Sequence, residues 1–169
     1  LVGGLAGTIQ ATNKPITLGA SGHDIALEGA TILNAGTGNV TFSGKLDGAF
    51  SLEVNASGDT AFNDQVGSIT PLTSLFMSNT AGTTRLNPPS SGAVMSIVTS
   101  GAQRYDAKTL LGSQTHLSST LGGGIVFNQT LDGNEDLTLN TTGQVAFNAP
   151  VGTGLANGLA SLTLANANG

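Results

Sequence analysis

Two stretches, residues 46–67 and 131–152, read LDGAFSLEVNASGDTAFNDQVG and LDGNEDLTLNTTGQVAFNAPVG. They start 131 − 46 = 85 residues apart and share Leu-Asp-Gly, Ala-Phe-Asn and Val-Gly in the same register. Within each stretch, short runs of alternating apolar and polar residues lie between Gly, Asn and Ser, as in brief strands joined by tight turns. Recurrence on this scale is typical of stacked repeats. We predict a super-repeat of four rungs, with units at 46–130 and 131–169.

A bulky residue followed by a small polar one recurs throughout the chain, at steps of 20, 24, 19, 22 and 20 residues. Such a period predicts one inward-facing column of a parallel β-solenoid. The predicted core column consists of Phe42, Phe62, Leu86, Tyr105, Phe127 and Phe147. Asparagine amides on neighbouring rungs can hydrogen-bond as a ladder. The predicted ladder residues are Asn63, Asn87, Asn128 and Asn148.

Two more apolar columns accompany the first. Period-two strands begin at Ile25, Leu52, Leu75, Ile97, Leu117, Leu137 and Leu162. A third column contains Leu46, Val66, Leu110, Leu131 and Val151, and a loop containing Pro88-Pro89 is expected where a member is missing. No window of twelve residues keeps a helical apolar stripe. We therefore predict an all-β solenoid of about seven rungs of about 21 residues, roughly 30–35 Å long at about 4.8 Å per rung.

Composition narrows the function classes. The chain has no Cys, which excludes disulfides and thiolate zinc sites, and its net charge of −5 argues against nucleic-acid binding. Hydrophobic residues make up 38%, too many for a disordered chain, and no apolar run is long enough to span a membrane. Because the chain begins at Leu1 without Met and ends in a sequence like another repeat, we expect residues 1–169 to be an internal piece of a longer repeat protein.

The histidines and repeated aspartates give no catalytic or metal constellation. His23 and His116 are predicted to lie four rungs apart, about 19 Å along the axis, as exposed residues at strand edges. Asp47 and Asp132 are predicted to have the same separation, well beyond the roughly 5–10 Å of a glycosidase pair.

Residues 132–136, Asp-Gly-Asn-Glu-Asp, resemble the start of a calcium loop but lack its later Gly and Glu, so a solvated turn is expected and weak calcium binding stays open. Asp59, Asp64 and Asp106 have no repeated basic neighbour, and Arg85 and Arg104 are expected to form a small basic spot. We predict no catalytic, cofactor-binding or metal site, and hence no enzyme.

The phrases Leu137-Thr-Leu-Asn-Thr-Thr-Gly143, Val145-Ala-Phe-Asn148 and Gly158-Leu-Ala-Ser-Leu-Thr163 resemble the repeats of filamentous-haemagglutinin-like proteins, which are large bacterial surface adhesins and exoproteins. The resemblance implies a right-handed parallel β-helix, secretion and display at the cell surface. It predicts an extracellular adhesive shaft that self-associates into filaments and meets host or matrix glycans or proteins. The alternatives are the stalk of a contact-dependent toxin-delivery exoprotein and a β-helix that binds or cleaves glycans. None of them requires a cofactor.

Overall fold

The structure, a computed structural model, describes residues 4–20, 22–78, 81–87, 90, 92–152 and 158–165 of the 169-residue chain. All regular structure in these residues is β-strand, and none of them is helical. The strands in chain order are β1 (Leu5–Gln10), β2 (Ile16–Leu18), β3 (Ile25–Gly36), β4 (Val40–Phe42), β5 (Leu46–Asp47), β6 (Ser51–Ala56), β7 (Thr60–Phe62), β8 (Ser74–Met77), β9 (Thr83–Leu86), β10 (Met95–Thr99), β11 (Gln103–Tyr105), β12 (Lys108–Leu111), β13 (Thr115–Ser119), β14 (Ile125–Phe127), β15 (Leu131–Asp132), β16 (Asp136–Thr141), β17 (Val145–Phe147) and β18 (Ser161–Ala165).

The chain winds through three parallel sheets in the fixed order A, B, C. Sheet A contains β1, the second half of β3, β6, β8, β11, β14 and β17. Sheet B contains β2, β4, β7, β9, β12 and β15. Sheet C contains the start of β3, β5, β10, β13, β16 and β18, and Val66 bridges β5 to β10. The predicted all-β parallel solenoid of about seven rungs is confirmed, with turns about 22 residues apart.

The backbone has the same polarity in every sheet. Residues that face the core donate their N–H groups to the following turn, as Ile25 does to Lys45 O at 2.6 Å and Ile125 to Gln144 O at 2.9 Å. An outward-facing residue donates to the preceding turn, as Asn148 does to Phe127 O at 2.8 Å. Both patterns follow from the strand, because side chains and amides alternate with the same period of two. Successive turns therefore pair in one consistent way along the rod.

Side chains of like position stack on each other in the core. Sheet A has the inner column Ile9, Leu33, Val54, Met77, Tyr105, Phe127 and Phe147. Sheet B has Leu18, Phe42, Phe62, Leu86 and Leu111. Sheet C has Ile25, Leu46, Val66, Ile97, Leu117, Leu139 and Leu164. Aromatic rings stack almost parallel, with centroids 4.6 Å apart for Phe42 and Phe62 and 4.9 Å apart for Tyr105 and Phe127.

The predicted aromatic column is therefore two columns, and its description as one is wrong. Phe42, Phe62 and Leu86 lie in sheet B, whereas the remaining three members lie in sheet A. From Leu86 to Tyr105 the chain covers only two-thirds of a turn, through sheet C to sheet A. This step still takes 19 residues, because β9 ends at Leu86 and β10 begins only at Met95. The long connection has the length of a whole turn in the sequence. Pro88 and Pro89 themselves lie outside the described residues.

The two other predicted columns divide at the same connection. Of the second column, Leu52 and Leu75 lie in sheet A, whereas Ile25, Ile97, Leu117, Leu137 and Leu162 lie in sheet C. Within sheet C the register also differs by two residues, because Leu137 pairs with Thr115 and the partner of Leu117 is Leu139.

The third column divides into one bridge in sheet C, between Leu46 and Val66, and one in sheet B, between Leu131 and Val151. Its remaining predicted member is wrong. Leu110 is only partly buried and faces outward, and its neighbour Leu111 is the core residue, 3% exposed. An apolar pair such as Leu110-Leu111 does not reveal from sequence which residue faces the core.

Candidate functional site: polar ladders and the two ends

Both predicted asparagine pairs are hydrogen-bonded across neighbouring turns. Asn87 Nδ2 donates to Asn63 Oδ1 at 2.7 Å, and Asn148 Nδ2 donates to Asn128 Oδ1 at 2.6 Å. Each asparagine directly follows the last core residue of its strand. The pairs belong to two ladders, one beside sheet B and one beside sheet A, because the columns that they follow are separate.

The ladder beside sheet A includes residues that sequence reasoning missed. Asn128 Nδ2 donates to Asp106 Oδ1 at 2.6 Å, and two turns further towards the N-terminus Asn55 Nδ2 donates to Asn34 Oδ1 at 3.0 Å. The available signal was an inward aliphatic residue followed by Asn, as in Leu33-Asn34 and Val54-Asn55. A search confined to the spacing of aromatic residues and Leu86 does not find it.

The predicted basic spot is absent from the described surface because the two arginines lie on different sheets. Arg85, in β9 of sheet B, forms an ion pair with Asp59 at 3.1 Å. Arg104, in β11 of sheet A, forms an ion pair with Asp106 at 3.1 Å. Its guanidinium also lies 5.2 Å from the ring centroid of Phe76. Each positive charge is thus next to a carboxylate.

The histidines lie four turns apart, as the sequence predicted. His23 is bridged to Ala20 just before β3, and His116 lies in β13, between Ser96 and Thr138 of the neighbouring strands. The Nε2 atom of His116 is 3.4 Å from Gln114 Nε2. Among the described residues, no three His, Asp or Glu side chains are grouped so that they could hold a metal ion.

The repeated aspartates have structural surroundings. Asp47 Oδ1 accepts the amides of Ile69 at 2.8 Å and Thr70 at 3.0 Å, and so holds the loop of the following turn. In the stretch that resembles a calcium loop, Asp132 ends a strand of sheet B and Asp136 begins one of sheet C. Asp136 Oδ1 accepts the Ser161 hydroxyl at 2.6 Å. The segment 132–136 therefore forms the corner between two sheets.

A buried polar group, which the sequence did not predict, lies in the core beside β11. The Tyr105 hydroxyl donates to Gln103 Oε1 at 2.9 Å, and Gln103 Nε2 donates to Ser118 O at 2.9 Å and to Thr99 Oγ1 at 3.2 Å. Burial raises the pKa of the Tyr105 phenol well above its usual range, because the charged phenolate would lose its hydration. The group therefore stays neutral and serves as a hydrogen-bond donor.

A second buried polar feature is a column of threonines in sheet B. Thr60, Thr84 and Thr109 are paired on successive turns and are at most 2% exposed. Their Oγ1 atoms have no hydrogen-bond partner among the described residues. The hydroxyls are about one strand spacing apart, which is too far for a direct bond between neighbours.

The two ends of the solenoid are the remaining candidate surfaces. β1 and β17 are the outermost strands of sheet A, and β18 is the last of sheet C. Apolar side chains are exposed at the C-terminal end, where Leu162 is 44%, Leu164 51% and Val151 36% exposed. Elsewhere these columns are almost completely buried. The ends thus present core residues and sheet edges together.

Comparison of the chain with protein-family models, with curated proteins and with solved structures finds no match. Within the described residues, the structure contains no helix with the length and hydrophobicity needed to cross a bilayer. The fold itself is thus the strongest guide to function.

Proposed function

We propose that this chain is a segment of a structural, adhesive shaft of a secreted bacterial surface protein and that it associates end to end. The observation that carries the proposal is the repetition of one turn-to-turn pairing through all three sheets. Seven turns at about 4.8 Å form a rod roughly 30–35 Å long. In such a solenoid, stability comes mostly from contacts between neighbouring turns, so a further turn adds to either end without changing the rest.

The exposed ends support self-association. A parallel sheet edge displays backbone donors and acceptors that pair readily with another strand. Here the edge of sheet C carries Leu162 and Leu164, which would be buried by an added turn. Association therefore gains both hydrogen bonds and apolar burial.

The adhesive role and the extracellular bacterial location rest on the resemblance of the repeats to filamentous-haemagglutinin-like sequences. The outer surface fits that role, because strand residues such as Ser96, Ser118, Thr138 and Thr163 make one face of sheet C broad, polar and uncharged. Hydroxyl-rich surfaces of this kind form many weak hydrogen bonds with glycans or proteins.

Light scattering over a wide concentration range tests the self-association. We expect the mass to rise steadily above the 16.7 kDa of one chain, and electron micrographs to show rods of increasing length and constant width. A constant monomer mass at every concentration would contradict the proposal.

Adhesion is tested separately with the immobilised chain on a glycan array and on extracellular-matrix proteins, together with a reducing-sugar assay. We expect binding without release of reducing ends. Release of reducing ends would instead support the glycan-cleaving alternative, and failure to bind any surface would count against an adhesive role.

A further inference from the structure

We propose that the end-to-end association is polar: the C-terminal turn of one copy stacks on the N-terminal turn of the next, with Phe147 over Ile9 and Asn148 over Gln10. The partner is a second copy of this chain. The inference rests on the proposed self-association and adds its direction and register.

Backbone polarity is the first argument. Asn148 N donates to Phe127 O, so amides at alternate positions of β17 point back to β14, and those of Val145 and Phe147 point away from it. At the other end, Ala11 N donates to Asn34 O, so Thr8 and Gln10 direct their backbone groups away from β3. Among the described residues, no strand of sheet A lies beyond β17 or before β1.

These outward-directed groups match if Phe147 lies opposite Ile9. The Gln10 amide of the next copy then reaches Phe147 O, and the Phe147 amide reaches Thr8 O of that copy. The arrangement repeats the native one, in which Phe127 lies opposite Phe147 and the Asn148 amide reaches Phe127 O. Shifting the register by one residue would turn every core side chain to the outside.

The core columns continue across the same junction. Phe147 and Ile9 are the outermost members of the sheet A column, and each is partly buried. In sheet C, the exposed Leu164 would lie below Ile25 of the next copy. Stacking in the same direction therefore joins each column to the column of the same sheet.

The polar ladder also continues. Asn148 is the last member beside sheet A and is exposed, and Gln10 pairs with Asn34 at the opposite end of the same ladder. Both side chains end in an amide, which supplies a donor and an acceptor. Gln10 can thus take the place that Asn148 has above Asn128.

A two-fold arrangement, with two C-terminal ends in contact, fits less well. The two-fold axis reverses the order of the sheets around the rod, so that sheet B meets sheet C whenever sheet A meets sheet A. Sheet B ends in the single bridge at Val151, whereas sheet C ends in the five-residue β18. A head-to-tail contact also leaves a free end on each assembly and produces filaments instead of closed dimers.

Two single-ended variants test the direction. Gln10→Pro removes an N–H from the N-terminal edge and Val145→Pro removes one from the C-terminal edge, and neither N–H bonds to a neighbouring strand of its own copy. Gln10→Ala and Val145→Ala keep these N–H groups and serve as matched controls. Far-UV circular dichroism and thermal unfolding establish that each variant is folded. If a proline variant loses its sheet signal, Gln10→Lys or Val145→Lys replaces it, because a lysine opposes stacking at the same edge.

At a concentration where the unmodified chain forms long assemblies, we expect each blocked variant alone to stay at 16.7 kDa and an equimolar mixture to reach twice that mass. The intact C-terminal turn of one variant then binds the intact N-terminal turn of the other, and growth stops. Dimers of Gln10→Pro alone, or a monomeric mixture, would overturn the polarity. An unmodified chain that stays monomeric would instead refute the proposed self-association.

Discussion

Residues 46–67 and 131–152 have the same local structure in two different places. Gly48 and Gly133 have φ angles of 137° and 131°, and Gly67 and Gly152 have φ angles of 68° and 66°. Backbone bonds correspond as well, since the Gly67 amide donates to Leu46 O at 2.7 Å and the Gly152 amide to Leu131 O at 2.8 Å. The sequence of this unit thus determines a rung with defined corners.

The two copies nevertheless lie on different faces of the rod. In the first copy, β5, β6 and β7 belong to sheets C, A and B, and in the second, β15, β16 and β17 belong to sheets B, C and A. The pairings Leu46–Val66, Val66–Ile97 and Ile97–Leu117 count three turns, and the chain then passes through sheet A to reach Leu131. The copies are therefore three and two-thirds turns apart, not the four turns predicted for the super-repeat. A rung of this kind fits at any corner, and the connections between rungs set its face.

The largest expected effect tests whether equivalent aromatics differ by position along the rod. Phe62 is completely buried between Phe42 and Leu86, whereas Phe147 stacks on Phe127 in the last turn and is only partly buried. Phe62→Ala should cost about 3–5 kcal/mol of unfolding free energy, and Phe147→Ala about half of that or less. Urea unfolding at low protein concentration, where the chain is monomeric, measures both. Equal costs would show that the position along the rod does not matter.

A slightly smaller effect tests whether the corners are equivalent. A Cβ on Gly48 would lie 2.4 Å from Leu27 O, and one on Gly133 would lie 2.6 Å from Leu111 O. Gly48→Ala and Gly133→Ala should each cost about 2–4 kcal/mol, from strain and overpacking together. Gly92→Ala is the control, because its φ is also positive, at 77°, but its Cβ would meet no atom within 4 Å. A cost for Gly48→Ala no greater than that of Gly92→Ala would disprove the close approach.

Tyr105 takes the position of the phenylalanines of both copies, in the turn between them. Tyr105→Phe keeps the ring but leaves Gln103 Oε1 without its donor, so it should cost about 1–3 kcal/mol. Because the folded pKa of Tyr105 is raised above the unfolded value of about 10, its contribution is complete below pH 10 and is lost as the pH rises further, by about 1.4 kcal/mol per pH unit.

Tyrosinate absorbance measures this linkage directly, since Tyr105 is the chain's single tyrosine. We expect the absorbance to appear together with unfolding, and Tyr105→Phe to remove this part of the alkaline loss of stability. Ionisation of the folded chain near pH 10 would contradict the buried position.

The smallest effect concerns the ladders. Asn63 accepts a hydrogen bond from Asn87, one turn above it, whereas Asn148 is the exposed final member of its ladder. Asn63→Ala should cost about 1 kcal/mol and Asn148→Ala a few tenths. Thermal unfolding of both variants and of Asn63→Asp, which keeps an acceptor, tests the difference. A larger cost for Asn148→Ala would show that the ladder depends on its end.

Several features could be predicted from sequence because they are local. Alternating runs gave the strands, Gly and Asn gave the corners, and the Asn63–Asn87 and Asn128–Asn148 contacts follow from equivalent positions in successive turns. The ion pairs could not be predicted in the same way. Arg85 and Asp59 are 26 residues apart, and their contact depends on which turn each occupies.

The sequence by itself determined that the chain forms rungs of short strands, since a period of two and regular corners act within about 22 residues. Only the tertiary structure decided which residues stack. The connection between Leu86 and Met95 has the length of a whole turn but covers one corner, so it moves every later repeat by one face. Pairing between turns joins distant residues, and the length of the loops between them, which the apolar pattern does not record, sets that pairing.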